Sequence, residues 1–206
     1  MKSLVRHLSA LALLSITSIA NAQLTFDSPG GTLVPSGTSG SAGYTFNVLS
    51  PFTIDALLVY TGGGFASPTV PIGLWNSTNT LIATTTVTLT TPEVTVDSAG
   101  GGNFLGNSIA PLTLATGTYT LAMYVSGVND YALFGNTLIT DARVSYGSYA
   151  GSISTSLELP PPIAVDLLFL GPSLRIQQTA DVPEPGAVAL FVGASFCSFV
   201  LKRRRK

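Results

Sequence analysis

Between Gln23 and Asp181 the side chains capable of acid–base chemistry are almost all carboxylates. The ones that invite a chemical reading are Asp55, Glu93, Asp97, Asp130, Asp141, Glu158 and Asp166. A pair of these, ~5 to 9.5 Å apart, could hydrolyse a glycosidic bond, one acting as acid and the other as base or nucleophile. Most of them, however, stand beside Gly, Asn, Pro or Ser, where a solvated turn carboxylate is the ordinary occupant. Asp97 and Asn103, flanking three successive glycines, could offer oxygen ligands to Ca²⁺, although their spacing fits no EF-hand loop. The only histidine is His7 and the only cysteine is Cys197, both outside this region, which also lacks lysine. Ser-His-Asp and Cys-His catalysis, His or Cys zinc sites, internal disulfides and Schiff-base chemistry are thereby excluded from it. No catalytic residue, metal ligand or cofactor is assigned, and the expectation is a protein that is not an enzyme. A carboxylate-dependent glycan hydrolase is the competing class.

Aromatic side chains are the other means of binding. Trp75 and the tyrosines at 44, 60, 119, 124, 131, 146 and 149 could stack on sugar rings from an exposed sheet face. Alternation places Tyr44, Tyr60 and Tyr119 with core residues, which leaves Trp75, Tyr146 and Tyr149, near expected turns, as surface contacts. Asn76-Ser77-Thr78 matches the N-glycosylation acceptor pattern.

The elements that must position these residues read as strands. Tyr44, Phe46 and Val48 alternate with Thr45 and Asn47, and Phe52, Ile54, Ala56, Leu58 and Tyr60 begin a second period-2 run. Residues 70–75 and 81–90 flank the polar connection 76–80 and predict a hairpin, with Ala83, Thr85, Val87 and Leu89 on one face. Val94 and Val96 predict a short strand, and 113–125 the strongest one. Further strands are expected at 131–134, 138–144, 163–170 and 174–177. Leu24 to Phe26 reads as an edge strand followed by a loop to Gly43, 146–156 is a Gly/Ser/Tyr run, and Pro160-Pro161-Pro162 reads as a rigid spacer. Between Gln23 and Asp181 no ten-residue stretch has helical periodicity. The fold class expected is all-β, an antiparallel β-sandwich of jelly-roll or immunoglobulin-like type. Gly73-Leu74-Trp75-Asn76, Leu81-Ile82-Ala83-Thr84, Pro111-Leu112-Thr113-Leu114 and Gly117-Thr118-Tyr119-Thr120-Leu121 look like a β-sandwich domain recurring among exported bacterial proteins.

Charge is distributed unevenly. Only Arg143 and Arg175 lie between Gln23 and Asp181, against nine acids, a net charge of −7. So few cations cannot neutralise phosphates, which argues against nucleic acid and anionic lipid as partners. Solvation falls to hydroxyls, with 24 Thr and 16 Ser in the same span. That abundance serves β-propensity and also permits O-glycosylation.

The two ends are of another kind. Lys2 and Arg6, the apolar run from Leu8 to Ile19, and the small residues Ala20 and Ala22 around Asn21 have the layout of a secretory signal peptide, cleaved before Gln23. At the other end Val182-Pro183-Glu184-Pro185 precedes an apolar run from Gly186 to Leu201 and the cationic cluster Lys202, Arg203, Arg204, Arg205 and Lys206. Sixteen residues at ~1.5 Å each make a helix of roughly 24 Å, short of the ~30 Å hydrocarbon core, so this helix spans only marginally. The five cations resist translocation and hold the terminus on the cytoplasmic side. Pro183 and Pro185 keep the chain extended and accessible around Glu184.

This order of proline-flanked acid, apolar run and basic cluster resembles the PEP-CTERM sorting signal. The resemblance implies recognition and processing by exosortase, in Gram-negative bacteria that secrete exopolysaccharide. Three parts are therefore expected: 1–22 a signal peptide, 23–181 an exported β-sandwich domain, and 182–206 the sorting signal with one C-terminal transmembrane helix. The expected role is a non-enzymatic protein, exported across the inner membrane, transiently anchored, then delivered to the cell surface or biofilm matrix. Structural, adhesive and glycan-binding roles, the last with extracellular polysaccharide as partner, all suit it. A permanently membrane-anchored binding protein is the alternative reading of the same tail.

Overall fold

The computed structural model describes residues 23–27, 32–35, 38–61, 67–97, 103–126, 130–134, 139–164, 168–169 and 171–177. The expected signal peptide, with Ala20 and Ala22, lies outside them. So do Asp166, the motif Val182, Pro183, Glu184 and Pro185, the C-terminal apolar run with Cys197, and the basic cluster 202–206.

The described elements are all strands: β1 (Gln23–Leu24), β2 (Phe26–Asp27), β3 (Thr32–Pro35), β4 (Ser39–Val48), β5 (Phe52–Tyr60), β6 (Thr69–Trp75), β7 (Leu81–Thr88), β8 (Val94–Asp97), β9 (Asn103–Leu114), β10 (Gly117–Ser126), β11 (Asp130–Phe134), β12 (Ile139–Thr140), β13 (Val144–Ile153), β14 (Leu168–Phe169) and β15 (Pro172–Ile176). Two five-stranded antiparallel sheets dominate, ordered β1-β15-β5-β9-β8 and β13-β4-β10-β6-β7. Two small sheets, β14-β11-β3 and β12-β2, accompany them.

Alternation explains the packing. Tyr44, Phe46 and Val48 of β4 meet Tyr119, Leu121, Met123 and Val125 of β10, Val70, Ile72 and Leu74 of β6, and Phe52, Ile54, Leu57 and Val59 of β5 in one buried cluster. Both large sheets contribute to it, as expected of a sandwich whose inner faces share one core. Its aromatic centre is Phe26, 5.0 Å from the Tyr44 ring and 5.8 Å from that of Phe46, with Phe46 stacked on Tyr119 at 5.6 Å. A smaller cluster of Ala56, Leu58, Val94, Val96 and Phe104 belongs to the other face of the β5 sheet, because Ala56 and Leu58 alternate with Ile54, Leu57 and Val59 across a bulge.

Several strand expectations require correction. The stretch 113–125 is not one strand: β9 ends at Leu114 and β10 begins at Gly117, whose φ of 152° suits only glycine. β9 itself extends back to Asn103, where no strand was expected, and pairs with β5 along its length. β4 starts at Ser39, not Tyr44, because its small residues pair with β10 on one side and β13 on the other. The Gly/Ser/Tyr run 146–156 is largely the strand β13, which carries a bulge between Tyr146 and Tyr149. Of 138–144 only Ile139–Thr140 is a separate strand, with Val144 beginning β13, and of 163–170 only Leu168–Phe169 is described as strand. The hairpin β6–β7 and the short β8 stand where expected.

Candidate functional site

Each carboxylate whose contact is resolved has a structural engagement. Asp141 is buried at the turn between β12 and β13. Arg143 grips it with two parallel bonds, Nε to Oδ1 at 2.7 Å and Nη2 to Oδ2 at 3.0 Å, while the Arg143 backbone N–H also donates to Oδ1 at 2.9 Å. The guanidinium lies 5.2 Å from the centroid of the Phe52 ring, within the range of a cation–π contact. The Asp141 hydrogen bonds, with burial opposing, hold the Arg143 pKa above its ordinary value. The backbone completes a clasp: Asp141 N–H donates to the Thr25 carbonyl at 3.1 Å and Leu49 N–H to the Arg143 carbonyl at 2.7 Å. This ion pair therefore ties three chain segments together at one end of the sandwich.

Asp55, in the bulge of β5, accepts from Nε of Arg175 on β15 at 2.6 Å, both side chains being about one quarter exposed. Glu93 accepts the backbone N–H of Ser108 at 3.0 Å. Ser108 lies on β9 beyond the end of its pairing with β8, so Glu93 satisfies a ladder group that no strand meets. From the same strand β9, Asn107 Nδ2 reaches the other sheet and donates to the carbonyl of Thr86 on the edge strand β7 at 2.9 Å. The two side chains plug facing edges where the sheets approach. No sequence signal pointed to Asn107.

Asp97 and Asn103 are registered partners on β8 and β9, and the Asn103 carbonyl accepts from both the backbone and the hydroxyl of Thr61. Glu158 is exposed on a returning segment whose backbone N–H donates to buried Ser41 at 2.9 Å. Asp130 opens β11 opposite Pro35. Among the described residues no three of His, Cys, Asp and Glu come together in a group able to hold a metal ion.

Among the aromatics, Trp75 is corrected: it is 6% exposed, not a surface residue. The pairing of β6 and β7 slips between Leu74 and Trp75, and the indole lies back over Gly73, where an added Cβ would sit 2.4 Å from the ring. Glycine makes the berth that buries it. Tyr146 is half-buried too, its ring 5.4 Å from Tyr44 and 6.1 Å from Phe26. Tyr149 packs against the same core. Tyr44 and Tyr119 are buried as expected, and Tyr60 rests partly covered on Phe104 at 5.2 Å. The Tyr44 hydroxyl donates to the Pro172 carbonyl at 2.9 Å across the sandwich. Burial, assisted by neighbouring Tyr146 and opposed by a hydrogen bond with Thr25, holds its pKa well above the usual phenol value.

No protein-family model, curated protein or solved structure matches the chain. Its function must be read from its own residues.

Two further sequence features have structural employment. Asn76 Oδ1 accepts from the backbone N–H groups of Thr78 and Thr80, both at 3.0 Å, and Asn79 takes a φ of 61°, so the glycosylation-like triplet builds the β6–β7 turn. The proline spacer runs along the outer edge of β13: Gly151 N–H donates to Pro161 and Ile163 N–H to the Tyr149 carbonyl. That edge is thereby closed to further pairing.

Proposed function

We propose that this chain is a non-enzymatic, exported β-sandwich protein, sorted by exosortase to the cell surface or exopolysaccharide matrix, where it has a structural, adhesive or glycan-binding role. The single observation that carries the sorting is the order of Val182-Pro183-Glu184-Pro185, apolar run and cationic terminus in a chain that opens with an export signal. The non-enzymatic reading is supported by the use of Asp55, Glu93 and Asp141 in ion pairs and edge contacts that hold the fold. Within the sandwich class, connectivity favours the immunoglobulin-like arrangement over the jelly roll. The neighbours β5-β9-β8 and β10-β6-β7 follow the B-E-D and F-C-C′ order of that fold. Among the described residues the strands run from Gln23 to Ile176.

Mass spectrometry of the mature C-terminus, in cells with and without exosortase, tests the sorting. Loss of Phe191 to Lys206 only when the enzyme is present is expected; retention in both strains would leave a permanent anchor. A glycan array probed with the 23–181 fragment separates binding from purely structural roles.

A further inference from the structure

Resting on the reading of the tail as a membrane anchor, we infer that the exported domain meets the outer surface of the bilayer with one defined end, the end that carries the turns 49–51, 76–80, 115–116 and 141–143.

Chain geometry selects that end. Gln23 pairs with Ile176, and Gln177 N–H donates to the Thr53 carbonyl at the start of β5 at 2.8 Å. Both ends of the domain thus leave at the level where β5 begins, beside the turn 49–51. From 178 to 185 there are eight residues before the apolar run, a reach of about 28 Å even when fully extended. A ten-residue strand such as β4 rises ~34 Å. A tether shorter than the sandwich cannot bring the opposite end to the bilayer without laying the domain on its side.

Chemistry agrees with geometry. Among the described residues four turns stand at this end, and their only charged residues are Asp141 and Arg143, which neutralise one another. The other ion pair, Asp55 with Arg175, lies in the same half and is equally balanced. The exposed acids Glu93, Asp97 and Glu158 stand at mid-height or above: Glu93 beside Ser108, which pairs with Ala56 midway along β5, Asp97 at the far end of β8, and Glu158 over Ser41. A domain of net charge −7 is repelled by anionic headgroups, and these three exposed acids all lie away from this end. Leu49, 58% exposed in the tip of the β4–β5 turn, and Leu81, 45% exposed at the foot of β7, supply apolar contacts. Each is ordinary alone. Set on the charge-balanced, anchor-proximal end, they fit insertion among headgroups.

The test uses the full chain in vesicles of phosphatidylethanolamine and phosphatidylglycerol containing headgroup-spin-labelled lipid. A fluorophore is placed on native Cys197, and, in a Cys197→Ser background, on Leu49→Cys, Leu81→Cys or Ile153→Cys. Ile153 is the control because it is apolar and 84% exposed but lies at the opposite end, paired with Gly40. Several-fold stronger quenching at Leu49 and Leu81 than at Ile153 is expected, together with quenching at Cys197. Equal quenching at the three domain positions with Cys197 quenched would overturn the orientation and leave the anchor intact. No quenching at Cys197 would remove the anchor itself, and the orientation with it. Shielding of Leu49 that depends on protein concentration without lipid would identify a second copy as the partner and would equally overturn it.

Discussion

Tyr44 and Trp75 show how much of this molecule is decided by single side chains. Tyr44 was assignable to the core because it alternates with Phe46 and Val48; its cross-sheet bond to Pro172 was not, since 128 residues separate them. Its folded-state pKa is raised above the value of 10.0 it holds when exposed. The neutral phenol is therefore favoured by folding, the stabilisation is complete below pH ~10, and it declines as pH rises through the higher folded value. Thermal melts across pH 8 to 12 should show an alkaline loss of stability that is smaller in Tyr44→Phe, which at neutral pH gives up about 1 kcal/mol for the missing hydrogen bond. An identical alkaline slope in the two proteins would show that folding leaves the ionisation of Tyr44 unchanged. Trp75 was misplaced at the surface because its position next to a polar turn says nothing of a glycine two residues back. It is the only tryptophan, so its burial is directly readable: Gly73→Ala should push the indole outward and shift its emission to longer wavelength, whereas an unchanged spectrum would mean that the ring is accommodated elsewhere.

At the scale of elements, legibility followed regularity. The β6–β7 hairpin could be read because period-2 runs flank a polar turn whose Asn76 and Asn79 suit it chemically. β9 could not, for its exposed and buried positions do not alternate in its lower half, Pro111 interrupts the pattern, and its pairing with β5 is long-range. The unpaired groups of β7 and β9 are equally invisible in a linear sequence, and so were Asn107 and Glu93 in the role of plugs. An edge strand with free ladder groups invites pairing with other chains. Here the Thr86 carbonyl and the Ser108 N–H are each met by a side chain. Replacing Asn107 and Glu93 together by Ala should lower the melting temperature modestly, and it should accelerate concentration-dependent aggregation seen by light scattering. Unchanged scattering alongside a lowered melting temperature would reduce the plugs to ordinary stabilising contacts.

For the molecule as a whole, the absence of cysteine between Gln23 and Asp181 means that no cross-link restrains the unfolded chain, so stability rests on burial and pairing alone. The first residues after the expected cleavage point enter the fold at once. Gln23 and Leu24 pair with β15, Thr25 and Phe26 are fully buried, and the Ser173 hydroxyl donates to the Phe26 carbonyl at 3.1 Å. A mature chain beginning at Gln23 therefore has no spare N-terminal residues, whereas one beginning at Ser28 leaves an aromatic-sized void beside Tyr44 and Phe46. Truncating a buried Phe to Ala costs about 3 to 5 kcal/mol, and for a domain of this length each kcal/mol corresponds to roughly 2 to 4 °C. The 23–181 fragment should accordingly unfold in one cooperative transition insensitive to reductant, and the 28–181 fragment should melt roughly 10 °C lower or fail to fold. Equal melting temperatures would show that Phe26 is dispensable and that the sandwich closes without residues 23–27.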